Sequence, residues 1–492
     1  MAFIGDAALS KLLDLLLGKS IDAALNFVAD HKQVYDQLKE WKSVLPDIRA
    51  VLNNAEEKQI KDEGVKSWLE DLQDLAYDAD DILDEFAYEE LRLKLQKTQA
   101  QASTSKEWDT CEGDEQVSKF PRLRELYISR CPQLLGRLPT RLQSLQRLAI
   151  YFCRRLVVLI SCFPLLRELS LKGCEELVDE SSSSPVEEVS SLQIVSLSSI
   201  SKFSIAAERI RSRFANSTYF GIDDSNMLSK VSHAFASLTR MNLDKCEGLV
   251  SFTESNFPTA LKELEIGECD KLQYLFDESM SSKTCLLEHL IIKRCPSLIW
   301  LASRGDICNR LQHLKIRNCP KLRSLFLNSK LPAMLKKLDI MVCPVLECIA
   351  QDFHGNTDLE VIHVFGAENI KSLPRGLDKL SHLQDIFLQF CSNLVVCFDE
   401  IGLATTNLRC FSILDCKNIG ALPKCIKNFT SLQELRVSNC CADISFPEDG
   451  FPTNLTLLKI EGKAAKFGVD FSTLKPQVFF RMCIFRADLK IC

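Results

Sequence analysis

From Leu123 onward the chain repeats one phrase, L-x-x-L-x-I-x-x-C-x-x-L, and such a repeat limits the possible folds more than any other feature. It reads LRELYISRCPQL at 123–134, LKELEIGECDKL at 261–272 and LQHLKIRNCPKL at 311–322. The Cys position falls at Cys131, Cys153, Cys174, Cys246, Cys269, Cys295, Cys319, Cys343, Cys391, Cys416 and Cys440. Ala367 and Ile200 fill it in two further repeats. A unit of this length cannot bury its own apolar face, so neighbouring units must stack and share a continuous core.

The period, mostly 21 to 26 residues, is that of leucine-rich repeats. Each unit then contributes a short strand to a parallel sheet on the concave side of a horseshoe. Eleven of the 22 cysteines are thereby placed as small buried residues at one turn, where the side chain meets backbone groups. In LRELYIS the Leu and Ile point inward, while Glu125, Tyr127 and Ser129 look out. Carried along the stack, the outward positions predict a basic zone of Lys293, Arg294, Lys315, Arg317, Lys336 and Lys337. An apolar, aromatic zone of Val361, Phe365, Phe387, Phe390 and Leu414 follows. Aligned aromatics on a concave sheet read as a partner surface, against a solvated or locally irregular face as the plainer account. His289 and His313 fall side by side with no carboxylate or thiol to join them, and read as surface histidines.

The first hundred residues follow a different rhythm. Leu9, Leu12, Leu13, Leu16, Ile21, Leu25 and Val28 give one helical seam. Val34, Leu38, Trp41, Leu45, Ile48 and Leu52 give a second, kinked or divided at Pro46. The third, Trp68, Leu72, Leu75, Ala79, Ile82 and Phe86, runs through an acidic stretch. Helices with one apolar seam each bury those seams together, which predicts a small helical bundle. The run from Lys97 to Gln116 is rich in Gln, Ser, Thr and acids and reads as a linker.

From Glu70 to Glu90 there are ten carboxylates and no Lys or Arg. Asp80 to Asp84 match a DDxxD pattern that holds a Mg²⁺-diphosphate, yet the deep cavity and second metal cluster it needs have no room before Thr98. A calcium loop counted from Asp78 puts Ile82 at the fifth position and Leu83 where the turn requires Gly. Metal readings therefore fail, leaving a solvated amphipathic face or a docking face. Carboxylates at i, i+4 repel by a few tenths of a kcal/mol, a cost more readily tolerated opposite a basic partner.

Net charge is −6, but residues 1–116 carry 13 Lys and Arg against 26 Asp and Glu, and the rest of the chain is net positive. That split suits contact between the two parts, and the positive excess is too small to argue for nucleic acid. No secretory signal or apolar run of membrane-spanning length is legible, so the cysteines are expected reduced in the cytoplasm, with the nucleus or the plasma-membrane periphery as further sites. No C-x-x-C occurs, which argues against structural zinc. Gly18-Lys19-Ser20 lacks the earlier Gly of a phosphate-binding loop, because position 13 is Leu. Neither Gly-x-Ser-x-Gly nor HExxH occurs, so no enzyme and no cofactor is expected.

VKSWLEDLQDLAYDADDILDEF, Val65 to Phe86, resembles the acidic signature in the coiled-coil N-terminal domain of plant intracellular disease-resistance receptors. VLNNAEEKQI, Val51 to Ile60, resembles the segment preceding it there, and the C-P-x-L of the repeats resembles the same receptors' leucine-rich repeats. The resemblance implies a four-helix N-terminal domain, a nucleotide-binding switch, and repeats that sense pathogen effectors or restrain the switch. It also implies that the acidic signature, with Asp80, Asp81, Ile82, Leu83 and Asp84 at its core, docks on basic repeat residues. The sequence departs from the family at its centre, where some twenty residues stand in place of the switch module and no phosphate-binding loop is found.

The fold class expected is an α plus α/β solenoid: a four-helix coiled-coil bundle over 1–96, a linker over 97–118, leucine-rich repeats over 119–461 and a degenerate segment over 462–492. Residues expected on the concave partner surface are Lys293, Lys315, Arg317, Lys337, Phe365, Phe387 and Phe390. The partners expected are a pathogen effector, a guarded host protein or a complete receptor, along with intramolecular docking of the helical domain. A ubiquitin-ligase substrate receptor is the rival reading, since Cys-bearing repeats also follow F-box domains, although no F-box pattern is legible.

Overall fold

The chain divides into two units, Met1–Ser105 and Lys106–Cys492. A computed structural model describes residues 120–461 of the second, except 139–141, 180–191, 206–212, 224–236, 255–256, 282–284, 354, 356–357, 397, 399–406 and 441–450, together with 479–480. The helical bundle, the linker and the acidic run therefore lie outside the described residues.

Within them, the repeats form a parallel solenoid. Sixteen strands make one sheet. They are β1 (Glu125–Ser129), β3 (Arg147–Tyr151), β5 (Glu168–Lys172), β7 (Ile194–Ser198), β9 (Tyr219–Ile222), β10 (Arg240–Asp244), β11 (Glu263–Gly267) and β12 (His289–Lys293). Then follow β13 (His313–Arg317), β14 (Lys337–Met341), β15 (Val361–Phe365), β16 (Asp385–Gln389), β17 (Cys410–Leu414), β18 (Glu434–Ser438), β19 (Leu457–Glu461) and β20 (Phe479–Phe480). A second sheet joins β2 (Gly136–Arg137), β4 (Leu156–Leu159), β6 (Glu176–Val178) and β8 (Lys202–Ser204).

The alternation read from LRELYIS is the alternation found. Second and fourth strand residues such as Leu264 and Ile266, or Leu314 and Ile316, are buried, with the flanking Leu261, Leu272, Leu311 and Leu322. Register holds from strand to strand, with Leu290 opposite Leu314 and Ile292 opposite Ile316. First, third and fifth residues form columns across the other face. Between β7 and β10 the sheet contains β9, a repeat that the Leu–Cys pattern passes over because Ser217 and Phe220 stand where its two leucines are expected. Beyond the repeats, Phe479–Phe480 adds a parallel strand to β19.

The cysteines end each strand as expected, and the structure adds how. The residue just before the Cys position adopts a left-handed conformation throughout: φ is 51° at Lys245, 49° at Glu268, 50° at Arg294 and 52° at Asn318, with Gly173 and Gly366 alike at 65° and 64°. For an L-residue this costs about 1–2 kcal/mol. Two things offset it. The turned residue's N–H donates to the next repeat's last strand carbonyl, as in Lys245 to Gly267 (2.9 Å) and Asn318 to Met341 (2.9 Å). The turn also drops the Cys into the core, where its Sγ donates to the carbonyl two residues back, as in Cys269 to Gly267 (3.2 Å) and Cys319 to Arg317 (3.4 Å). Among the described residues all cysteines are free thiols.

Candidate protein-recognition surface

The columns of first, third and fifth strand residues define a continuous face whose chemistry changes along the stack. At β1 to β5, Arg147 bridges Glu125 (3.2 Å) and Glu168 (2.6 Å). Tyr127, 67% exposed, meets the Tyr151 ring edge-on at 5.4 Å, and the Tyr151 hydroxyl reaches Ser170 Oγ at 2.9 Å. In the middle repeats acids and bases alternate: Arg240 pairs with Glu263 at 2.7 Å and Lys293 with Glu265 at 3.1 Å. Exposed pairs of this kind contribute only about 0–1 kcal/mol each, so they set charge pattern more than stability.

The expected basic zone is smaller than the sequence suggests. Lys293 is neutralised by Glu265, and Arg294 lies 2.7 Å from Glu268. Arg294 is also the left-handed turn residue, not a strand position, and Lys336 precedes β14. Arg317, at the fifth position of β13, is only 3% exposed and is not presented to solvent. Lys315 is half-buried, with Asp339 opposite in register, and Lys337 is exposed at the first position of β14. Sequence reasoning missed the neutralising acids because Glu265 and Glu268 belong to the preceding repeat.

His289 and His313 do stack, with ring centroids 4.5 Å apart. Burial holds the His313 ring below the usual histidine pKa, as do the neighbouring His289 and Lys337, with Glu360 opposing. No group of three or more metal-ligating side chains occurs among the described residues.

Beyond β14 the face turns apolar. Val361, Phe365, Phe387 and Leu414 are half-buried on the first, third and fifth positions of β15 to β17. Met341, which the sequence reading passed over, joins them at the end of β14, in register with Phe365. Phe390 is the turn residue after β16, at φ 52° and 43% exposed, not an outward strand position. Its ring meets Phe365 edge-on at 5.3 Å, and Phe387 meets His363 at 5.8 Å. His363 Nε2 lies 3.2 Å from Asp385, and Asp415 accepts from Gln389 (3.4 Å) and Asn439 (2.9 Å). The apolar zone is thus bordered on the β16–β18 side by carboxylates that already have partners.

Two family models match the chain: the Rx N-terminal domain over residues 6–119, and plant disease resistance protein RPS2-like leucine-rich repeats over residues 221–344. A curated relative named as a disease resistance RPP13-like protein 1 of Arabidopsis thaliana is 35% identical over 96 residues, 19% of this chain and 9% of that protein. Another, named as disease resistance protein RGA4 of Solanum bulbocastanum, is 41% identical over 58 residues, 12% of this chain and 6% of that protein. The matches thus span less than a tenth of the length of either relative. Among solved structures, the leucine-rich repeat domain of the type III effector XopL is 20% identical with a TM-score of 0.35, over 51% of this chain and 79% of that one. The functional domain of InlJ from Listeria monocytogenes, which includes a cysteine ladder, is 13% identical with a TM-score of 0.38, over 65% and 63%. Likeness at that level carries no argument. No helix among the described residues is long and apolar enough to cross a membrane. In both its segments the chain is similar to plant disease resistance proteins, through an Rx N-terminal domain at residues 6–119 and RPS2-like leucine-rich repeats at residues 221–344.

Proposed function

We propose that this chain is a non-enzymatic protein of plant innate immunity, a helical coiled-coil signalling domain tethered to a leucine-rich-repeat domain that recognises protein. It acts in the cytoplasm, as a shortened or adaptor form of a resistance receptor, with a pathogen effector, a guarded host protein or a complete receptor as partner. The observation that carries this reading is the pairing of an Rx-type segment with disease-resistance repeats in one chain. The apolar face of β14 to β17 supports recognition of protein, since it leaves aromatic rings half-exposed for a partner to cover. The acidic signature around Asp80, Asp81, Ile82, Leu83 and Asp84 is proposed as a charge-dependent docking element, with Lys337 and Lys315 as basic residues of suitable sign.

The test is affinity purification of the tagged full chain from infected and healthy leaf tissue, beside a Phe365→Ser/Phe387→Ser variant. A receptor or effector partner should be recovered with the wild type and lost with the variant. Recovery of a ubiquitin-ligase adaptor instead would overturn the immune-receptor reading in favour of its rival.

A further inference from the structure

The two ends of the large sheet are finished differently. At one end β20 pairs with β19, and the leucines of that repeat, Leu455 and Leu458, are 4% and 2% exposed. At the other end no strand among the described residues pairs with the outer edge of β1. Leu123, Leu126, Cys131 and Leu134 are only partly buried there. Their counterparts one repeat on, Leu145, Leu148, Cys153 and Leu156, are at most 1% exposed. Phe120, just before them, is exposed. The backbone ladder stops at the same place. Gln146 and Arg147 N–H both donate to the Arg124 carbonyl, at 2.7 and 3.0 Å. The matching N–H groups of Arg124 and Glu125 have no strand before them among the described residues. A solenoid requires a cap over such an end, because an open edge beside apolar groups pairs with whatever reaches it.

The charge at this end narrows what the cap is. Arg122, Arg124, Arg130 and Arg137 are exposed along the first repeat. The one acid among residues 120–137 is Glu125, which Arg147 already engages at 3.2 Å. Two such ends brought together would repel, which disfavours a second copy of the chain. Immediately before this repeat, residues 107–118 (EWDTCEGDEQVS) hold five carboxylates and no Lys or Arg. They also hold Trp108, the one aromatic between Tyr88 and Phe120. The segment belongs to the same unit of the chain as the repeats. Twelve residues of extended chain reach about 40 Å, ample for Trp108 to fold back over one repeat from Phe120. Tethering also gives the segment an effective concentration of about millimolar, which a separate partner would have to exceed.

We propose that residues 107–118 fold back as the N-terminal cap of the solenoid, with Trp108 covering the Leu123–Leu126–Leu134 edge and the carboxylates facing Arg122, Arg124 and Arg130. A stretch expected to be a plain linker then completes the core of the first repeat and blocks strand addition at β1. This cap is independent of the β14–β17 face.

Cys131 reports on the cap, because its thiol sits half-buried at the open end. The full chain is labelled with N-ethylmaleimide and read by peptide mass spectrometry. Cys131 should react at least about tenfold faster in Trp108→Ser than in the wild type, since labelling tracks the population in which the thiol is uncovered. Trp108→Phe keeps a large ring and should stay within about twofold of the wild type. Replacing Glu107, Asp109 and Glu112 together by Lys should speed labelling as Trp108→Ser does, by setting like charge against the arginines. Cys348, half-buried in the middle of the stack, is the internal control and should label alike in every variant. Equal Cys131 labelling in the wild type and Trp108→Ser would overturn the proposal. So would a rise at Cys348 equal to that at Cys131, which marks general unfolding and not a lost cap. Indifference to the triple Lys variant would refute the contact with the arginines. Labelling that ignores Trp108→Ser but slows as protein concentration rises would refute the cap in favour of a second copy on the edge.

Discussion

Ile386 and Phe387 are consecutive residues of β16 and face opposite sides, so substituting them one at a time reads the register directly. Ile386 is 1% exposed and opposes Ile362 and Phe411 in the core columns. Ile386→Ala removes buried carbons from a close-packed layer, which costs about 2–5 kcal/mol. Phe387 is half-buried on the face opposite the core. Complete burial of such a ring stabilises by about 1.5–3 kcal/mol, so half of it is worth about 1 kcal/mol. The edge contact with His363 at 5.8 Å adds about 0.5–1.5 kcal/mol. Phe387→Ser is therefore expected to cost about 2 kcal/mol, below the cost of Ile386→Ala. Urea denaturation followed by far-UV circular dichroism measures both. Incomplete cooperativity along a solenoid affects them alike, because they share one repeat. The partner-recovery assay should respond in the opposite order, with Phe387→Ser the more damaging. A larger stability loss for Phe387→Ser than for Ile386→Ala would refute the register, since a slip of one residue exchanges every core and surface position.

Two further outcomes follow from the titrating groups. Burial pushes the Cys174 thiol to about 12 and the Cys343 thiol to about 11, which leaves under about one molecule in a thousand as thiolate at pH 7.5. Iodoacetamide should leave both unmodified in the native protein and label both in urea, and rapid native labelling seen by peptide mass spectrometry would contradict their burial. For His313, the folded-state pKa lies below the unfolded value of about 6.5, so the unfolded chain binds the proton more readily. Its contribution is intact above that pH and is lost as pH falls from there toward the folded value. His313→Gln should flatten the decline in urea midpoint between pH 7 and 5, and an unchanged slope would rule out this coupling.

Much of the repeat domain was legible because its two strongest signals are local. Leu and Ile at fixed spacing specify which strand face is core, and that sufficed to place Leu264, Ile316 or Leu388 without coordinates. The cysteine column was legible for the same reason. What was not legible depends on neighbours a repeat away. Lys293 and Arg294 look free in their own repeat and are neutralised from the previous one by Glu265 and Glu268. Arg317 alternates as an outward residue should, yet its side chain is covered. Phe390 was expected outward and is exposed, but at a turn and not on the strand, since the strand ends one residue earlier. The left-handed column had a readable trace in the Asn, Asp and Gly that precede the Cys position at Asn318, Asn439, Asp415, Gly173 and Gly366. That composition is the known preference for positive φ.

The division of labour within each repeat explains why the recognition surface can differ so much along one regular stack. Second and fourth strand residues, the flanking leucines and the Cys carry the core, and changing any of them costs several kcal/mol. The backbone ladder passes through the turn residue whatever its side chain, as the bonds donated by Lys245, Gly366 and Phe390 alike demonstrate. First, third and fifth strand residues and the turn residue are therefore the positions where substitution disturbs the fold least. They carry ion pairs such as Arg147 with Glu168 and Lys293 with Glu265 in one part of the stack and Met341, Phe365 and Phe387 in another, on an unchanged backbone. A surface assembled at such positions can be respecified one repeat at a time. It can even tolerate a strained valine at 342, because the penalty of one turn is small beside the cohesion of two neighbouring repeats.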